Sequence, residues 1–301
     1  MRRRTFYVLE CAAEGCVAEF LLNDQPVVRR GEGLGGLFTG QCNHELIPGE
    51  NEVTVLISPG PTPASALRAR REVAGRERRG SVLAGEEPKP ARVSCRLVRY
   101  LEREVIGSPA GVALLELEWE DMGSGAPRHW PQVVSGVVDV GEAFGRWAWQ
   151  DAPAIEWSEA TEAEVRAFLE EMHAALAAKD LDAFVRRSRV RLAEISRAYQ
   201  LPSGQKEREV RENARFYMEQ PEWGLQPLPW RREAPRRATA ALRGGGDGLA
   251  DLRVCARRRQ IDCVARDGES LLRELPRGEY GLVNKWPMRL ARIEGELHVV
   301  R

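Results

Sequence analysis

The residues whose chemistry stands out first are cysteines and a histidine. Cys42-Asn43-His44, together with Cys11 and Cys16, offers soft ligands of the kind zinc takes. A structural zinc site usually shows two short Cys-x-x-Cys-like pairs, and these spacings match none. The expectation is buried thiols and no metal, with Cys95, Cys255 and Cys263 read the same way. Cys255 and Cys263 are spaced to lie on neighbouring strands of a hairpin turning at residues 257–260. Gly31-Glu32-Gly33-Leu34-Gly35-Gly36 fits the letters G-x-G-x-x-G. A dinucleotide fingerprint also needs a strand before it and a helix after it, so that the helix N-terminus meets the pyrophosphate. Here Leu37-Phe38-Thr39-Gly40 and a strand-rich stretch follow, so a loop and no cofactor are expected. No serine nucleophile elbow, H-E-x-x-H or Walker loop is present.

Arginine and tryptophan supply the other chemistry. Arginines cluster at residues 68–79, 231–237 and 257–259, each in an expected loop or turn. The ordinary reading is a solvated face; the sharper one is contact with an acidic partner through Arg70, Arg71, Arg78, Arg79, Arg231 and Arg232. A formal net charge of zero argues against nucleic acid and against anionic membranes, both of which call for a basic surplus. Trp119, Trp130, Trp147, Trp149 and Trp157 bunch together, and Trp223 and Trp230 share a later loop. Most such rings pack a core, yet exposed ones anchor partners, which makes Trp223 and Trp230 the candidates.

The elements that must position these groups fall in two blocks. From Thr5 to about Trp157 the hydrophobic period is two. Residues 5–11 and 17–22 read as strands, Asn23-Asp24 as a turn, and 26–30 as the returning hairpin partner. In LIPGENEVTVLI, Pro48-Gly49-Glu50-Asn51 opens a strand with Val53, Val55 and Ile57 on one face. Residues 59–91, rich in Pro, Gly and charge, read as a long excursion, partly disordered or a surface flap. Strands are expected again over 92–105, 112–119, 131–140 and 146–150, the last with Trp147 and Trp149 on one face.

From residue 161 the period becomes 3.6. Val165, Phe168, Leu169, Met172 and Leu176 form one stripe, behind a Thr161/Glu164 capping box. After a break at Lys179-Asp180, Leu181, Phe184, Val185, Leu192, Ile195 and Tyr199 form another. A third helix over 205–219 should turn Val210, Ala214, Tyr217 and Met218 inward until Pro221 stops it. Strands follow over 238–243, 249–256, 260–266, 288–293 and 297–301. Helices followed by antiparallel strands make an α+β layer.

Two resemblances refine this. The strand ending at Leu22-Asn23-Asp24, the glycine-rich loop and the L-x-P-G-x-N-x-V-x-V strand from Leu46 to Val55 resemble sugar-binding-like jelly-roll domains. The stretch from His173 to Phe184 and the closing hairpin from Arg289 to Val300 resemble the nuclear-transport-factor-2-like (cystatin-like) superfamily. They imply an α+β chain with an antiparallel, jelly-roll-like β-sandwich over 1–153. A nuclear-transport-factor-2-like domain of helices on a curved sheet would span 158–301. An enzyme of the second superfamily keeps its acid and base in a cone-shaped cavity between helices and sheet. By residue type the candidates there are Tyr199, Tyr217 and Asp262, then His298 and His173.

The apolar run after the basic start is interrupted by Glu10, and no apolar run approaches membrane-spanning length, so a cytoplasmic protein is expected. The favoured function is non-enzymatic binding of a protein partner. The composite resembles bacterial immunity proteins, which neutralise toxins, and secretion-accessory proteins. The alternative is a small-molecule-binding protein, or a lyase or isomerase, using the cone cavity. Carbohydrate binding through the first domain ranks third. The oligomeric state is left open.

Overall fold

The computed structural model describes residues 3–30, 38–58, 91–121, 131–220, 223–228, 230, 250–255, 258–265, 270–274 and 285–300. The chain divides into two compact units, Met1–Arg146 and Trp147–Arg301. Four antiparallel sheets and three helices are seen among the described residues, an α+β content. The excursion at 59–90, the G-x-G-x-x-G run and the strand expected at 238–243 lie outside the described residues.

In the first unit, β1 (Thr5–Glu14), β2 (Val17–Leu22), β3 (Gln25–Arg30) and β4 (Phe38–Gln41) precede β5 (Glu50–Ser58). β6 (Ala91–Leu101), β7 (Val112–Asp121) and β8 (Gln132–Asp139) follow. They form two antiparallel sheets, ordered β4-β1-β6-β7 and β3-β2-β5-β8. Register puts Leu9, Leu97 and Leu115 in one row, and Phe20, Val55 and Val134 in a row of the other sheet. Period-two burial therefore gives each sheet an apolar face. A Cβ on Gly136 of β8 would stand 3.0 Å from Leu115 Cδ1 and Leu117 Cδ2 of β7, so its bare backbone admits those leucines.

The β2–β3 hairpin turns on Asn23 and Asp24, both with positive φ (54° and 63°). That geometry suits the right-handed twist of the strands, and Asn and Asp tolerate it. Asn51 fastens the turn before β5. Its Oδ1 accepts from Ile47 N and Asn23 Nδ2, each at 2.8 Å. Its Nδ2 donates to Ile47 O (2.9 Å) and Gly49 O (2.8 Å).

The second unit begins differently from the strand expected at 146–150. Ala148–Gln150 is a 3-10 turn, and Trp147 is completely buried. The Arg197 guanidinium lies 4.5 Å from the Trp147 ring centroid, and Ala148 N donates to Glu194 Oε1 at 2.6 Å. These polar and cation–π partners hold the segment beside a helix, where a two-residue alternation too short to define a strand cannot resist them.

α1 (Glu159–Ala177), α2 (Leu181–Ala198) and α3 (Gln205–Met218) follow. Ser158 caps α1, accepting from Thr161 N at 3.1 Å, so the helix begins before the expected Thr161 cap. Lys179 takes φ +59° to reverse the chain, and Asp180 Oδ1 then accepts from Ala183 N at 3.0 Å to start α2. The second sheet runs β14-β13-β10-β9, from β9 (Ala250–Cys255), β10 (Gln260–Ala265), β13 (Met288–Ile293) and β14 (Glu296–Val299). β11 (Leu272–Arg273) pairs with β12 (Lys285–Trp286). One core joins Val165, Leu169, Met172 and Phe184 of the helices to Ile261, Cys263, Leu290 and Val299 of the sheet. Burying two amphipathic helical stripes on one sheet face is what the sequence pattern demands.

Candidate functional site

The side chains expected to share a cavity are not brought together in one. Asp262 alternates with Ile261 and Cys263, which enter the helix-packed core, so its side chain leaves the sheet on the opposite face. There it is buried opposite Arg289, with Arg289 Nε 3.7 Å from Asp262 Oδ1. Tyr199 is the half-buried C-cap of α2. Tyr217, expected inward, is 38% exposed, because Ala214 and Met218 take the buried face of α3. His173 Nε2 lies 3.0 Å from the Gln226 carbonyl oxygen, a helix-to-loop tie. His298, on β14 between two core residues, is buried, and its Nδ1 has no partner among the described residues. Burial first, and then Arg189, hold its imidazole below the usual value.

The thiols are all buried. Cys11 and Cys95 face each other at 3.9 Å, and Cys42 Sγ lies 3.5 Å from the Tyr7 carbonyl oxygen. Burial pushes the Cys42 and Cys263 thiols well up, the opposite of what a nucleophile or metal ligand needs. Among the described residues no three His, Cys, Asp or Glu side chains gather as a metal-binding group.

Of the residues expected at a partner surface, Arg70, Arg71, Arg78, Arg79, Arg231 and Arg232 lie outside the described residues. Trp223 and Trp230 are half-buried against the unit's own core. The Lys179 ammonium lies 5.4 Å from the Trp223 ring centroid. Trp230 Nε1 donates to Glu170 Oε1 at 2.9 Å, under the Arg166 guanidinium. Both rings are thus engaged by their own chain.

Among the described residues the exposed aromatics are Trp157, 40% exposed, and a pair on α3. Phe216 is 62% exposed, and Tyr217 meets it edge-on at 5.4 Å between centroids, with the planes 77° apart. A separate groove of about 310 Å³, to which neither ring contributes, is lined by Lys179, Asp182, Arg211, Arg215, Met218 and Glu219, among others. Its cations are partly committed: Arg211 bonds Asp182 (2.6 Å) and Glu207 (3.0 Å), and Lys179 donates to the Met218 carbonyl (2.5 Å). A rigid helix presenting two exposed rings can act by contact and shape. Sequence inspection missed Phe216, although its position two residues from both Ala214 and Met218 was a usable signal.

Among the described residues, no helix is long and apolar enough to cross a membrane. No family model, curated protein or solved structure matches the chain.

Proposed function

We propose that the chain is a non-catalytic binding module that recognises another protein. The observation that carries this reading is the exposed Phe216–Tyr217 pair on α3, since Phe and Tyr are enriched at protein interfaces and Tyr among their hot spots. The two facing four-stranded sheets support a jelly-roll-like β-sandwich for the first unit. Helices preceding an antiparallel sheet support a nuclear-transport-factor-2-like second unit. On that reading the protein works in the cytoplasm as an immunity or secretion-accessory protein, without a cofactor. An acidic partner, a toxin included, would meet the arginine clusters outside the described residues. The test is affinity capture of the tagged full chain from its native lysate, followed by size-exclusion chromatography. One stoichiometric protein should co-elute; elution of the chain alone would remove the reading.

The small-molecule reading has less support, because Asp262 faces away from the helices and is matched by Arg289. A ring compound whose thermal stabilisation Asp262→Ala abolishes would restore it.

A further inference from the structure

We infer that the free edge of β8 pairs antiparallel with β8 of a second copy of the chain, about a twofold axis at Ser135, an inference separate from the protein-binding reading above. Among the described residues the first unit has four edge strands, since its sheets run β4-β1-β6-β7 and β3-β2-β5-β8. An edge strand offers unpaired N–H and C=O groups to any passing strand, and folds blunt it with brevity, proline, bulges or charge. Three of these edges are blunted. β4 has only four residues. β3 carries Pro26, and its pairing with β2 shifts register at Phe20/Leu21. β7 presents the exposed carboxylates Glu116, Glu118 and Glu120. β8 uses none of these devices. Residues 132–138 read QVVSGVV, without charge or proline, in unbroken register with β5. Their outward row is Val133 (39% exposed), Ser135 and Val137 (61% exposed). Leu115 and Leu117 of β7 approach β8 on its other face, over Gly136, and among the described residues no strand pairs with its free edge.

Register and charge choose the occupant. A twofold axis sets a strand against its own sequence. Centred on Ser135, the outward row sets Val133 against Val137, Ser135 against Ser135, and Val137 against Val133. Cross-strand pairs of β-branched residues are what stabilises a sheet face. Asp139, the first charge beyond the row, meets Pro131 of the copy and not a second Asp139. Its Oδ1 is turned back to accept from Gly141 N at 2.6 Å. β7 paired with itself in the same way would set glutamate against glutamate, which repels. A charged strand would find no counter-charge along residues 132–138.

The experiment is size-exclusion chromatography with light scattering on the full-length protein over a dilution series. The unaltered protein should show the dimer mass when concentrated and move toward the monomer on dilution. Ser135→Lys and Ser135→Glu each place like charges opposite one another at the axis, and each should weaken self-association by about tenfold or more. Mixed in equal amounts at low salt, the two variants should associate again, because Lys then meets Glu. A pairing that sets residue 135 against its own copy predicts that rescue, whereas a dimer formed elsewhere does not. Ser135 is exposed, and unchanged circular dichroism would show that both variants fold. A monomer at every concentration, a dimer that neither charge weakens, or variants that stay monomeric when mixed would each overturn the inference.

Discussion

Asn51 in the first unit and Gln260 in the second are both completely buried primary amides, and they are used in opposite ways. Asn51 makes hydrogen bonds through both of its amide atoms, to Ile47, Gly49 and Asn23. Gln260 makes none among the described residues: neither Oε1 nor Nε2 has a partner there. The difference lies in where the chain supplies partners. Asn51 sits at the end of a tight turn whose own backbone groups, two and four residues back, point at it. Gln260 begins a regular strand, where neighbouring backbone groups are spent on pairing with β9 and β13. A buried amide fastens a fold only when local geometry delivers its partners; otherwise it carries an unreturned desolvation cost.

The largest effect should come from breaking the fastener. Asn51→Ala leaves Ile47 N–H and the Ile47 carbonyl beside an empty space, each costing about 1–3 kcal/mol when buried and unmet, while Gly49 O keeps Val140 N–H at 3.1 Å. A loss of about 3–4 kcal/mol is expected in chemical denaturation, with the Asn23-Asp24 hairpin loosened as well, since Asn23 Nδ2 also bonds Asn51. A loss under about 1 kcal/mol would mean that Asn51 is replaceable, and the contrast with Gln260 would fail.

The second prediction has the opposite sign. Gln260→Met keeps the length of the side chain and removes two unpartnered polar atoms, so the protein should gain about 1–2 kcal/mol. Urea denaturation measures it. Destabilisation instead would show that the amide holds a buried water, and Gln260 would then resemble Asn51 after all.

These two sites were not equally readable in the sequence. Asn51 belongs to a turn-and-strand run, Leu46 to Val55, so its place at the end of a turn followed from spacing, whereas its bonds, that to the distant Asn23 included, did not. The helical stripes and the Lys179-Asp180 break were legible for the same reason: period 3.6 and capping are short-range. Asp262 could have been placed by alternation, since Ile261 and Cys263 flank it, but the match to Arg289 depends on strand register set by distant packing. Trp147 and Trp149 imitated a strand because two residues fit either period, and Glu194 and Arg197 decided the outcome from another helix. On α3, Tyr217 was expected inward with Met218, and the intervening rotation of the helix exposed both it and Phe216.

The smallest expected effect extends the contrast to a group that can ionise. His298 is buried on β14, and its Nδ1 has no partner among the described residues. Burial, then Arg189 and Arg187 of α2, lower its folded-state value below the ordinary 6.5, while Glu296 and Glu294 oppose them. Above 6.5 the imidazole is neutral in both folded and unfolded chains and adds no pH dependence. As pH falls through 6.5 the unfolded chain takes up a proton that the folded chain refuses, so stability declines until the lowered folded value is passed. Melting temperature should therefore fall modestly from pH 7.5 to 5, and His298→Gln should flatten that slope. A slope of the opposite sign would mean that the imidazolium is stabilised in the fold, with Glu296 and Glu294 outweighing both burial and the α2 arginines. His298 would then belong with the satisfied polar groups of Asn51 rather than with Gln260.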